Sequence, residues 1–118
     1  MTTPSGEIFS PNYPGYYPGS MSCTWRISVP VGNVIRLTFI MFDLEDDPLC
    51  ARDFLELMDG GQDSRMSIGR FCGNRYPLSI MTATSRLKIV FTSTAFSGRQ
   101  GFRLRYDAVV GNKALFFY

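Results

Sequence analysis

Histidine is absent from this chain of 118 residues. Its absence excludes Ser-His-Asp and Cys-His nucleophile systems, and it excludes zinc or iron sites built on imidazole ligands. A glycine-rich phosphate loop and a CxxC pair are also missing, so a zinc ribbon or a thioredoxin-like site has no support. Two carboxylates, Glu45 and Asp53, could support glycoside hydrolysis, but they bracket a short loop rather than a cleft. We therefore predict that the chain is not an enzyme.

Long apolar runs are missing as well. No window of 18 apolar residues exists, so we predict no membrane insertion, and the first 20 residues contain no apolar signal segment. Met1 is then either a starting residue or an internal residue of a longer chain. The net charge is only +2, so charge gives no reason to expect a nucleic-acid partner. A hydrophobic fraction of 45% with 19% charged residues is typical of one globular domain.

The chain also lacks a helical pattern. No segment of 10 or more residues repeats apolar positions with a period of 3.6 between capping residues. Short segments instead alternate apolar and polar residues between Gly, Pro and Asn turns, which predicts an all-β sandwich or barrel. In the last segment, Phe102, Leu104 and Tyr106 should face the core while Arg103 and Arg105 face solvent. The predicted strands are residues 7–9, 23–29, 35–39, 53–59, 68–72, 87–91 and 102–106.

A loop rich in proline and tyrosine follows the first predicted strand. Residues 10–19 contain three prolines, two glycines and three tyrosines, a composition that excludes regular helix or a central strand. Such tyrosines can lie against a core while their hydroxyls remain available for hydrogen bonds, and packing is their commoner role.

Acids are concentrated between two predicted strands. Residues 42–60 indicate the end of one strand, an acidic loop with a cysteine, and a second strand. An acidic loop that a disulfide fixes between two strands can hold a hard cation or receive a basic partner. The acids and the cysteine are Asp43, Glu45, Asp46, Asp47, Cys50 and Asp53.

The chain contains an odd number of cysteines, namely Cys23, Cys50 and Cys72. In a secreted protein an odd count leaves one thiol without a partner inside the chain. The alternative is a cytosolic protein with three buried reduced thiols.

Eight short motifs follow one another between residue 6 and about residue 106, and their combination is far more specific than any one of them. They are residues 6–14 (GEIFSPNYP), 17–18 (YP), 23–27 (CTWRI), 42–45 (FDLE), 50–57 (CARDFLEL), 59–60 (DG), 71–73 (FCG) and 101–106 (GFRLRY). In this combination the chain resembles a CUB domain, an extracellular module.

The resemblance implies a jelly-roll-like antiparallel sandwich of two sheets, an extracellular or secreted setting and no catalytic activity. We predict a single domain over residues 1–118. Its motifs end near residue 106, and residues 107–118 form an apolar tail that covers the core, leads to another module or mediates association.

The resemblance also bears on the cysteines. Family members usually carry four, which pair first with second and third with fourth. Cys50 and Cys72 match the third and fourth, so we predict a disulfide between them, which would contribute roughly 3 kcal/mol on the chain-entropy model. Cys23 matches the second. The first would lie before Met1 or is absent, so Cys23 is unpaired or paired outside this segment.

Calcium is the cofactor that the resemblance implies. Many CUB domains bind it through a glutamate at the position of Glu45, an aspartate at that of Asp53 and a second aspartate before the last strand. A tyrosine like Tyr17 supports the glutamate. Thr94 stands where the third acid is expected, so the metal site is incomplete. Because calcium takes 6 to 8 oxygens and is held more tightly by charged ligands, we expect weak binding or none. The two aspartates that follow Glu45 could compensate in part.

The same loop predicts the contact site of a protein-interaction module within a larger secreted or cell-surface protein. In calcium-binding CUB domains this surface receives a lysine or arginine of the partner. The predicted contact residues are Tyr17, Glu45, Asp53 and Ser97. We expect the two carboxylates to converge near Tyr17 and residues 94–97, bonded by the tyrosine or by backbone N–H groups.

A glycan- or heparin-binding module of the spermadhesin kind is the alternative. Basic residues occupy polar positions of the predicted strands, where they either form a basic face or are ordinary solvated residues. Heparin retention at physiological salt separates the two functions, because binding to polyanions weakens steeply with salt. The residues concerned are Arg26, Arg36, Lys88, Arg103 and Arg105.

Overall fold

The computed structural model describes residues 3–60, 67–74 and 76–110, and this part of the chain contains eight strands and no helix. The predicted all-β architecture of two antiparallel sheets is confirmed. The strands are β1 (Ser5–Phe9), β2 (Ser22–Ser28), β3 (Asn33–Asp43), β4 (Phe54–Asp59), β5 (Ser67–Phe71), β6 (Ser79–Met81), β7 (Arg86–Thr92) and β8 (Gly101–Val110). Residues 107–110 of the predicted tail thus belong to β8, while residues 111–118 lie outside the described ranges.

Each sheet has four strands. The first has the order β1-β8-β3-β6 and the second the order β2-β7-β4-β5. The longest pairing joins β3 to β8, from Asn33 opposite Val110 to Asp43 opposite Gly101. We call these the β3–β8 sheet and the β4–β7 sheet.

Alternation of side chains builds the core between the sheets. Phe102, Leu104 and Tyr106 on β8 are fully buried. The side chains of Arg103 and Arg105 are 39% and 57% exposed, so the predicted orientation of this strand is confirmed. Successive residues of a strand point to opposite faces, and the apolar set therefore faces the other sheet.

Strand β6 has no counterpart among the predicted strands. It is three residues long and pairs with β3, with Leu37 opposite Ile80. Three residues are too few to establish a period of two, so the alternation rule does not detect such a strand.

A chain of aromatic rings connects the core to one end of the sandwich. Phe102 of β8 and Phe91 of β7 meet edge to face, with ring centroids 5.2 Å apart. Tyr17 meets Phe91 in the same way at 5.2 Å, and its side chain is fully buried. The ring of Tyr17 is therefore a core residue, and its position is fixed by packing across both sheets.

Candidate functional site

Three loops meet at one end of the sandwich. Residues 44–53 lead from β3 to β4, and residues 93–100 lead from β7 to β8. Because β3 pairs with β8 and β4 pairs with β7, these two loops begin and end beside each other. The loop of residues 10–21 joins them there, since the N–H of Tyr17 donates to the carbonyl of Arg99 at 3.2 Å.

Asp53 lies at the centre of this end and is only 1% exposed. Its Oδ2 accepts a hydrogen bond from the Tyr17 hydroxyl at 2.5 Å. Its Oδ1 accepts from the N–H of Thr94 at 3.0 Å and from the Thr94 hydroxyl at 3.2 Å. A buried carboxylate depends on such donors because water cannot solvate it. Both oxygens of Asp53 are thus used to hold the loop that carries Thr94.

The hydroxyl of Tyr17 links all three loops. It donates to Asp53 and accepts hydrogen bonds from the backbone N–H of Glu45 at 3.0 Å and the hydroxyl of Ser97 at 3.1 Å. Burial, followed by the hydrogen bond to Asp53, raises the pKa of Tyr17 to about 12. The phenol therefore keeps its proton at neutral pH and continues to donate to Asp53.

Glu45 differs from Asp53 in how it is used. Its backbone is fixed at both ends, because its N–H donates to Tyr17 and its carbonyl accepts from the N–H of Gly73 at 3.3 Å. Its side chain is half-buried. No hydrogen bond or ion pair joins its carboxylate to another of the residues that the structure describes. The backbone of Glu45 is therefore held in place, and its carboxylate, unbonded among the described residues, is open to an external cation.

The rest of the acidic loop is shaped by its own acids and by a disulfide. Asp47 accepts hydrogen bonds from three backbone N–H groups of residues 49–52, and these bonds lower its pKa. The disulfide predicted between Cys50 and Cys72 is confirmed, with an S–S distance of 2.11 Å. Cys23, on β2, is a free and partly buried thiol.

The residues at this end do not match a tight calcium site. Asp53 already accepts three hydrogen bonds, as described above. Thr94, in the place of the third acid, donates its N–H and hydroxyl to Asp53, and its carbonyl accepts from the N–H and the hydroxyl of Ser20 at 3.2 and 3.0 Å. Residues 3–60, 67–74 and 76–110 contain no group of three or more Cys, Asp or Glu arranged to hold a metal ion. Calcium needs many unassigned oxygens, whereas both carboxylate oxygens of Asp53 already accept hydrogen bonds.

The five basic residues considered for glycan binding do not share one face. Arg26 and Lys88 are cross-strand partners on the outer side of the β4–β7 sheet. Arg36, Arg103 and Arg105 lie on the outer side of the β3–β8 sheet. The two groups therefore face in opposite directions.

Acids accompany the arginines of the β3–β8 sheet. Arg36 forms an ion pair with Asp107 at 2.6 Å. Glu7 lies between two arginines and pairs with Arg103 at 2.9 Å and with Arg105 at 3.4 Å. The arginines lower the pKa of Glu7, mainly through the hydrogen bond from Arg103. These acids, absent from the predicted site, offset much of the positive charge on this face.

Two exposed aromatic residues lie at the Asp53 end, Phe96 within the predicted segment 94–97 and Tyr16 outside the predicted site. Tyr16 and Phe96 meet edge to face with ring centroids 6.1 Å apart. Both lie in loops, where no periodicity distinguishes an exposed ring from a buried one. The proline- and tyrosine-rich composition indicated the loop, but it did not indicate that Tyr17 points inward and Tyr16 outward.

The family model described as "CUB domain" matches residues 1–106. The chain belongs to the CUB domain family. It is 39% identical over 121 residues to cubilin of Sus scrofa, a match that covers 100% of this chain and 3% of that protein. It is similar to the extracellular region of zebrafish Gpr126/Adgrg6, with a TM-score of 0.80 and 32% identity over 93% of this chain and 14% of that chain. The structure of the MASP-1 CUB2 domain bound to Ca2+ gives a TM-score of 0.80 and 34% identity over 91% of this chain and 95% of that chain.

The chain thus corresponds to a small part of cubilin and to nearly the whole of one CUB domain. CUB domains are non-catalytic modules of extracellular proteins that mediate contacts with other proteins, and the chain is such a module. Within the described ranges, no helix has the length and apolar character required to cross a membrane.

Proposed function

We propose that the chain binds a basic side chain of a protein partner at Glu45, on the loop surface that Tyr17, Asp53 and Ser97 hold together from beneath. The open carboxylate of Glu45 is the observation that supports this proposal most directly. Its backbone is fixed by Tyr17 and Gly73, while its side-chain oxygens have no partner among the described residues. Because the backbone of Glu45 is fixed in advance, only its side chain loses conformational entropy when it pairs with a cation.

In this proposal Asp53 is a positioning residue. It holds Tyr17 and Thr94, and Tyr17 in turn holds the backbone of Glu45. The partner's ammonium or guanidinium group would donate to Glu45 at the surface, where both groups remain partly solvated. Such exposed pairs contribute modestly to affinity and more to specificity and association rate.

The loop surface is organised without calcium in our proposal. The MASP-1 CUB2 neighbour was solved with Ca2+ bound. Here the third acid is replaced by Thr94, whose donors satisfy Asp53 directly. Where a third carboxylate is present, its repulsion with the other two must be offset, and a bound cation does this. In this chain the hydrogen bonds among Tyr17, Asp53 and Thr94 would hold the loop instead.

Calcium dependence tests this part of the proposal. We expect thermal unfolding of the wild type to be the same in EDTA and in millimolar calcium. Thr94→Asp should gain a calcium-dependent rise in melting temperature, because a ligand that binds only the folded state stabilises it. Thr94→Asn should show no such rise, because asparagine has the size of aspartate but carries no charge. Sub-micromolar calcium affinity of the wild type by calorimetric titration would refute a metal-independent surface.

The role of Glu45 is tested with two small cationic probes, N-acetyl-lysinamide and N-acetyl-argininamide. We expect NMR titration at low salt to show shifts at residues 44–46 and 94–97, and Glu45→Gln to weaken binding of both probes by about threefold, the size of one exposed ion pair. Glu56→Gln is the matched control, because Glu56 is an acid on the outer side of the β4–β7 sheet that pairs with Arg70. Equal binding by wild type and Glu45→Gln would remove Glu45 from the site.

Glycan binding remains the second candidate, although the structure offers it little support. The basic residues are divided between two sheets, and three of them pair with Glu7 or Asp107. We expect no retention on heparin at physiological salt. Retention that is lost in Arg26→Ala and Lys88→Ala together would favour the β4–β7 sheet as a polyanion site.

A further inference from the structure

Two large aromatic side chains are exposed beside the proposed partner site. Tyr16 is 55% exposed and Phe96 is 66% exposed, and their rings meet edge to face at 6.1 Å. They are the chain neighbours of Tyr17 and Ser97, whose hydroxyls are hydrogen-bonded to each other at 3.1 Å. The Tyr17 hydroxyl also receives the N–H of Glu45. The aromatic pair therefore adjoins the residues that hold the backbone of Glu45.

Close backbone packing holds together the two loops that carry these rings. A Cβ atom at Gly19 would lie 2.6 Å from the nitrogen of Phe96 and 2.7 Å from the carbonyl carbon of Ala95, so glycine is required for the two loops to touch. Next to this contact, the N–H and the hydroxyl of Ser20 both donate to the carbonyl of Thr94. Because these contacts involve the backbone, the loops that carry the two rings are ordered before a partner binds.

We propose that Tyr16 and Phe96 select arginine over lysine as the partner side chain at Glu45, an inference that rests on the proposed function. A planar guanidinium group stacks on an aromatic face and is weakly hydrated, so it can lie against the pair while its N–H groups donate to Glu45. A lysine ammonium is compact and strongly hydrated, and it gains less from the same surface. The charge of Glu45 makes a cation, rather than a purely apolar side chain, the occupant that this surface fits.

The preference is measured by titrating the chain with N-acetyl-argininamide and, separately, with N-acetyl-lysinamide. We expect the wild type to bind the arginine probe about threefold more tightly, as one exposed cation–π contact provides. Tyr16→Ala and Phe96→Ala should each weaken binding of the arginine probe and bring the ratio of the two affinities towards one. Binding of the lysine probe should change little in these variants. Both side chains are exposed, so the folded spectrum should be retained.

Leu78→Ala is the matched control. Leu78 is an 82% exposed apolar side chain that precedes β6 on the β3–β8 sheet, and its removal should leave both affinities unchanged. The two proposals fail in different ways. If Glu45→Gln weakens both probes but Phe96→Ala leaves their ratio unchanged, arginine selection is wrong and the Glu45 site stands. If Glu45→Gln has no effect, or the wild type binds neither probe at tens of millimolar, the site itself is wrong.

Discussion

A buried aspartate lies at each end of strand β4, and each accepts hydrogen bonds from the N–H and the hydroxyl of one threonine. Asp53 precedes the strand and accepts hydrogen bonds from the N–H and hydroxyl of Thr94. Asp59 ends the strand and accepts from the N–H and hydroxyl of Thr84 at 3.2 and 2.6 Å, and from the N–H of Ala83 at 2.6 Å. They are 1% and 6% exposed. Each aspartate ties a loop beside β7 to one end of the β4–β7 sheet.

This likeness changes how Asp53 is interpreted. An aspartate paired with a threonine occurs at both ends, and at the Asp59 end it holds the turn before β7. The Asp53–Thr94 pair therefore anchors a loop in the same way as the Asp59–Thr84 pair. The ends differ in the identity of the third donor, which is the N–H of Ala83 at Asp59 and the hydroxyl of Tyr17 at Asp53. The Tyr17 hydroxyl also holds the backbone of Glu45.

The largest expected effect comes from removing either Asp53 or Asp59, which tests whether the two aspartates have the same structural role. Asp53→Ala and Asp59→Ala should each lower the free energy of unfolding by about 4 kcal/mol, because several buried donors lose a charged acceptor. Urea denaturation at neutral pH measures both. The control is Asp107→Ala, which breaks the exposed pair with Arg36 and should cost less than about 1 kcal/mol. A loss at Asp53 as small as this control would mean that its bonds are not structural.

The disulfide constrains the acidic loop at the Asp53 end, so its removal tests how much of the stability of that end depends on a covalent bond. Replacing Cys50 and Cys72 together with alanine should lower the free energy of unfolding by roughly 3 kcal/mol, through the larger entropy of the unfolded chain. Peptide mapping without reductant should recover Cys50 linked to Cys72, with Cys23 unlinked to either. A bond from Cys23 to one of them would contradict the pairing.

Alkaline pH tests the stabilisation that comes from the Tyr17 hydroxyl, apart from that of the aspartate–threonine pairs found at both ends of β4. The unfolded phenol loses its proton near pH 10, whereas the folded one has a pKa of about 12. The stabilisation from the protonated phenol is complete below pH 10 and is lost as the pH rises to about 12. We expect the free energy of unfolding to fall by about 2 kcal/mol more in the wild type than in Tyr17→Phe over this range. Parallel pH profiles would show that Tyr17 is not held as described.

Strand placement could be predicted from the sequence where the alternation was long enough. Seven of the eight strands in the described ranges were anticipated, as was the outward orientation of Arg103 and Arg105. The short strand β6 was missed because three residues carry no readable period. Pairing also decides where charges meet, so the ion pairs of Glu7 and Asp107 follow from the register of β1, β3 and β8 rather than from local sequence.

The proximity of the candidate residues was easier to predict than the hydrogen bonds between them. The family resemblance indicated Tyr17, Glu45, Asp53 and the position of Thr94, and the Tyr17 hydroxyl does join the loops that carry them. What the pattern could not give is that Thr94 would satisfy Asp53 with its N–H and hydroxyl together. Such bonds depend on loop conformation, which no sequence period encodes.

The close approach of Gly19 to Ala95 and Phe96 makes this domain a practical scaffold for engineered binders. The loop is anchored through backbone atoms, so the outward side chains of residues 95 and 96 can be randomised in a display library without removing the anchor. Gly19 itself should stay constant in such a library, since any other residue would push the loops apart and spread selected variants over several loop conformations.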